Sequence, residues 1–235
     1  MAEVRRYFYN PFSRVTTLFI FFALVILLAF IFFGLVSTAF GRIGFSARGV
    51  ILLLIATLLG SFINIPLFTV KSREPVITNT YVTVFGMTYR VPAVTQGERK
   101  TVIAVNVGGA LIPVAVSLYV LWQFPQTVGF AVVGIALVGI ISHLIARPVK
   151  GVGIVSPAFL APIVAAVFAL AITFQFPSVN VFALAYVSGV LGTLIGADIT
   201  NLRVIKGLGA PVASIGGAGT FDGVFLSGII AVLLA

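Results

Sequence analysis

The chain has 235 residues, of which 60% are hydrophobic and only 8% charged, with a formal net charge of +9. A soluble domain of this length could not hide so much apolar surface, so lipid is expected to be its main solvent. The absence of cysteine excludes disulfides, cysteine–zinc sites and thiol catalysis, and basic residues confined to the connections between apolar runs argue against nucleic-acid binding.

Residues 1–14 are polar, aromatic and basic, with Arg5, Arg6 and Arg14. The apolar run from Val15 to about Val36 is longer than the ~7–15-residue core of a signal peptide, so it reads as a retained first membrane helix. About 20 such residues at 1.5 Å each cross a hydrocarbon core of ~30 Å. A second span is predicted over Gly49–Phe68, with Asn64-Ile65-Pro66-Leu67 near its end. Residues 70–105 break the pattern. Tyr81, Thr83, Phe85, Met87, Tyr89 and Val91 alternate with Val82, Val84, Thr88 and Arg90, the period of two that a strand requires, and Gly86 offers a turn or bulge. A small β-rich insertion is expected here, outside the membrane core because lipid cannot satisfy an open strand edge.

The third span opens at Asn106-Val107-Gly108-Gly109 and ends near Trp122. The fourth is predicted over Thr127–Ala146, the fifth over Pro157–Phe174, the sixth over Val179–Ala197 and the seventh from about Ser214 to Ala235. Seven spans with a cytoplasmic N-terminus put twelve basic residues inside and only Arg42 and Arg48 outside. That bias is the positive-inside rule, so the chain is expected in the cell membrane as an all-α multi-pass protein, N-terminus in and C-terminus out.

Five acids and one histidine leave few groups for acid–base chemistry. Asp198 falls at the inner end of span six and Asp222 in the inner half of span seven, each among glycines. An acid at membrane depth is costly unless neutralised, paired or hydrated, which makes it a functional-site hypothesis. Two acids at one site hold a single proton between them, as an aspartyl hydrolase or a proton-coupled transporter requires. The plainer alternatives are a helix-end role for Asp198, bonding backbone or pairing with Arg203, and a capping role for Asp222 on a half-helix that starts after the glycines. Gly216, Gly217 and Gly219 would break the start of span seven, while Gly108 and Gly109 would do so for span three. Asn64, Asn106 and Asn201 are the polar side chains near span ends, suited to satisfying backbone or binding a solute. His143 lacks a second ligand at metal spacing and reads as interfacial, so neither metal nor cofactor is expected.

The phrases Asn64-Ile65-Pro66-Leu67, Asn106-Val107-Gly108-Gly109, Gly196-Ala197-Asp198 and Ile215-Gly216-Gly217-Ala218-Gly219-Thr220-Phe221-Asp222-Gly223 resemble an uncharacterised family of archaeal and bacterial membrane proteins, a domain of unknown function. The resemblance implies no activity. In topology, the two aspartates on neighbouring inner segments also resemble presenilin and prepilin-type intramembrane aspartyl proteases. Here, however, Thr220-Phe221 separates the glycines from Asp222 where those enzymes carry Gly-x-Gly-Asp, and no Pro-Ala-Leu motif is present.

The sequence therefore points first to an Asp198/Asp222 hydrolase acting on membrane-embedded peptides. A proton-coupled transporter of a small solute or ion is the alternative, and a non-catalytic scaffold with a docking β-segment is the third. Seven spans do not divide into equal repeats, and pairing of identical chains into a homo-oligomer would restore an even number.

Overall fold

The computed structural model describes residues 13–84, 87–149, 153–202, 204, 211–217 and 222–235, with backbone alone over 72–99. The described chain is mostly helical. α1 (Arg14–Ile43) is 30 residues long, well beyond the run expected from hydropathy. The Ser13 hydroxyl accepts the Thr16 N–H at 3.2 Å to start it, and Gly44, at φ 104°, ends it where a side chain would be strained.

α2 (Ala47–Gly60) ends much earlier than expected, after 14 residues. The predicted span to Phe68 is corrected here, because Asn64–Phe68 already belongs to a strand. β1 (Asn64–Val84) and β2 (Met87–Asn106) pair antiparallel from Asn64↔Asn106 to Val84↔Met87. At ~3.4 Å per residue this hairpin is about 70 Å long, far larger than the small appendage expected over 70–105. Gly86 lies outside the described residues. A register shift between Pro66 and Phe68 absorbs the proline, which cannot donate to a ladder.

After β2 the chain makes a π-helical turn, Val107–Leu111, and continues as α3 (Ile112–Gln123). α4 (Val128–Ile145), α5 (Leu160–Gln175) and α6 (Val181–Thr193) follow the predicted spans closely. A short antiparallel ribbon of β3 (Arg147–Val149) and β4 (Gly153–Val155) lies between α4 and α5. α6 runs on into a second π-helical turn, Leu194–Ile199.

The second correction concerns the last segment. Val212–Ile215 is a strand, β5, and the helix α7 starts only at Gly223 and ends at Leu234. β5 lies parallel to β2, giving a three-stranded sheet in the order β1-β2-β5. At 12 residues α7 is about 18 Å long, roughly half of what a full crossing needs.

α3, α4, α5 and α7 pack around α6, which is the centre of the bundle. Of the apolar stretch Val181–Ile199, 72% is buried, against 6% for that of α1. α1 therefore stands at the periphery with most of its large side chains outward and only its last turns, with Val36, Phe40 and Ile43, in the core. Three helices, Arg14–Ile43, Pro125–Ile145 and Val181–Ile199, are long and apolar enough to cross a membrane. Small residues set the packing around α6. A Cβ at Gly192 would meet Val138, and one at Gly196 would collide with the Gly139 carbonyl, so α4 and α6 approach backbone to backbone.

Candidate functional site

The two π-helical turns, the hairpin base and the β5–α7 connection converge on one polar cluster. Asn106 is fully buried at its centre. Its Nδ2 donates to the Ser61 carbonyl at 2.7 Å and to Asn64 Oδ1 at 3.2 Å, while its Oδ1 accepts the Gly109 N–H at 2.7 Å. The side chain therefore caps the π turn and ties it to α2 and β1. Asn64 Oδ1 also accepts from the Ser214 hydroxyl at 2.6 Å, which brings β5 into the same network.

Gly108 and Gly109 each serve a separate close approach. A Cβ on Gly108 would run into the Thr57 carbonyl and the Ser61 nitrogen, and one on Gly109 would run into the Gly216 carbonyl. The π turn is thus held between the end of α2 and the turn after β5. That turn, Gly216–Gly217, has φ 80° and 74°, which only glycine adopts without strain.

The carboxylates sit on either side of this turn. Asp198 Oδ2 accepts the Gly216 N–H at 2.7 Å, and Asp222 lies against Gly217, where a Cβ would strike its carboxylate. Both side chains are half-buried. Asp222 occupies the N-cap position of α7, at φ −64° and ψ 171°, but its side chain makes no capping hydrogen bond. Asp198 bonds neither the next turn of its own helix nor any cation among the described residues; Arg203 lies outside them. Asp198 thus bonds backbone at a helix end, through Gly216 rather than its own next turn, and Asp222 stands at the N-cap position without a side-chain cap.

Asn201 has a different role. Its Nδ2 donates to the Gly196 and Ala197 carbonyls, both at 3.0 Å, and so satisfies the end of the π turn that carries Asp198. It positions that turn and does not reach the carboxylates. Gly219 lies outside the described residues. His143 Nδ1 is 2.8 Å from the Thr200 hydroxyl, on the opposite flank of the same π turn. Among the described residues no three His, Asp or Glu side chains stand together.

Sequence reasoning missed Ser214 and β5. The signal was present as Val212 and Ile215 around a short Ala-Ser pair, but an apolar helix pattern follows so closely that it absorbed them.

A sequence model of the family described as "Protein of unknown function (DUF1614)" matches residues 58–234. The chain belongs to this family. Within the DUF1614 match lie the whole polar cluster, the hairpin and every helix from α3 onward, while α1 lies outside it. No curated protein and no solved structure matches the chain.

Proposed function

We propose that this DUF1614 protein is a multi-pass membrane protein, crossing the bilayer seven times with its N-terminus inside, and that Asp198 and Asp222 form one proton-sharing carboxylate pair. The observation that carries this is the placement of the two acids at one turn, Asp198 bonded to the Gly216 N–H and Asp222 against Gly217. Two carboxylates that share one site disfavour each other's charge, and such a pair would hold one proton between them.

The chemistry that suits such a pair is hydrolysis of a peptide bond at the inner membrane face. One carboxylate takes a proton from water as the oxygen adds to the carbonyl carbon. The other then protonates the leaving nitrogen as the C–N bond breaks, giving an acid and an amine. β5 supports a peptide substrate: it is an edge strand of its sheet and leads straight into the Gly216–Gly217 turn. An extended peptide added along that edge would arrive beside the carboxylates.

A transporter using the same pair is the second reading. It is favoured by the interrupted segments, two π turns and a half-length α7, that meet at the site. One experiment separates them. Protein in liposomes is given a library of apolar peptides, and cleavage is read by mass spectrometry while an internal dye reports proton flux. Cleavage abolished by Asp222→Asn supports the hydrolase, and flux abolished by it, without cleavage, supports the transporter. Cleavage or flux that survives both Asp198→Asn and Asp222→Asn removes the pair from the chemistry.

A further inference from the structure

A second site lies on the flank of the Leu194–Ile199 turn that faces away from β5. α4 and this turn enclose an open groove of about 520 Å³, walled by Val132, Ile135, Ile140, Leu144 and Ile195. Gly139 and Gly196 remove side chains from its floor, where the two backbones touch. The wall from Val132 to His143 is about 16 Å of helix, close to half of a ~30 Å hydrocarbon core, and so spans one leaflet. The groove is apolar for that whole depth. Its polar groups, His143 and Thr200, are gathered at the inner end, joined at 2.8 Å. Exposed Arg147, the first residue of β3, follows two residues after the end of α4 and puts a positive charge near this end of the helix.

We propose that this groove is a binding site for a single anionic phospholipid of the inner leaflet, with an acyl chain along α4 and the phosphate held at His143, Thr200 and Arg147. An acyl chain matches both the lining and the one-leaflet length. A basic mouth between membrane helices on the cytoplasmic side selects an anionic headgroup over a neutral one. A second copy of the chain would need no charge at one end of the groove. Its assignment to the inner leaflet rests on the orientation proposed above, and the site is independent of the carboxylate chemistry.

The test uses the full chain in detergent, titrated with phosphatidylglycerol or with phosphatidylcholine of the same acyl chains, and reads the unfolding midpoint. The wild type is expected to rise with both lipids and to respond to phosphatidylglycerol at a roughly fivefold lower concentration, the effect of about one basic side chain at the surface. Ala136→Trp, which fills the exposed wall of the groove, should abolish both responses. His143→Gln with Arg147→Gln, both at exposed positions, should keep the response to phosphatidylcholine and lose the preference. Equal responses of the wild type to the two lipids would overturn the proposal. So would an undiminished response in Ala136→Trp, or a fall in oligomer mass in that variant, since the last would mean that another copy of the chain fills the groove.

Discussion

The Asp198 carboxylate accepts the backbone N–H of Gly216 at 2.7 Å, across 18 residues of chain. This bond fastens the end of α6 to the end of β5 and sets where the second carboxylate can stand. It also lets the structural and chemical roles of Asp198 be separated by two substitutions. Asp198→Asn keeps an oxygen acceptor for Gly216 and is expected to accumulate and unfold like the wild type, while activity falls by at least about 100-fold. Asp198→Ala leaves the buried Gly216 N–H without a partner and should cost about 1–3 kcal/mol as well. Unfolding midpoints in detergent, measured beside activity, decide it; equal stability of the two variants would mean that the bond contributes nothing.

Gly109 is held against backbone, whereas Gly34 faces open space. Gly109→Ala drives a Cβ into the Gly216 carbonyl, and neither backbone can yield without breaking the Asn106 cap or the Asp198 bond. The cost is expected to be about 2 kcal/mol or more, seen as a lower midpoint and poor accumulation. Gly34→Ala in α1 meets open space and should leave both unchanged.

Asn106 makes three hydrogen bonds from full burial, whereas Asn64 is exposed and shares two of its contacts with Asn106 and Ser214. Asn106→Ala should therefore lower stability by about 2–3 kcal/mol, and Asn64→Ala by less than about 1 kcal/mol. A reversed order in chemical or thermal denaturation would place the anchor of the cluster on β1 rather than on the π turn.

Tyr186 gives the opposite expectation. It is wholly buried against Phe40 and Phe225, and its hydroxyl makes no hydrogen bond among the described residues. Tyr186→Phe removes an unsatisfied polar group at no loss of ring packing, so stability should stay the same or rise. A clear fall would reveal a partner for the hydroxyl, such as a bound water.

The proposed topology can be mapped directly, because the chain has no native cysteine. Thr88→Cys in the hairpin is expected to react with an impermeant thiol reagent only after the cells are opened. Ser178→Cys, between α5 and α6, should react in intact cells. Labelling in the reverse pattern would invert the orientation derived from the basic residues.

Composition and hydropathy by themselves determined the apolar character of the chain, the approximate position of most apolar segments and the strand character of the insertion. Those properties are local, since twenty apolar residues or a period of two carry their meaning wherever the chain goes. The scarcity of acids likewise singled out Asp198 and Asp222, and the glycine and asparagine positions chosen with them fall largely in one cluster. Tertiary structure alone decided the rest. α2 stops at Gly60 because Asn106 takes up the Ser61 carbonyl and the hairpin begins at Asn64. Val212–Ile215 becomes a strand because β2 offers it a free edge, and no helical pattern within those four residues could reveal that. The joining of Asp198 to Gly216 follows from that pairing. Contacts between distant backbone groups leave no period in the sequence, so the fold had to bring them together before the site could be seen.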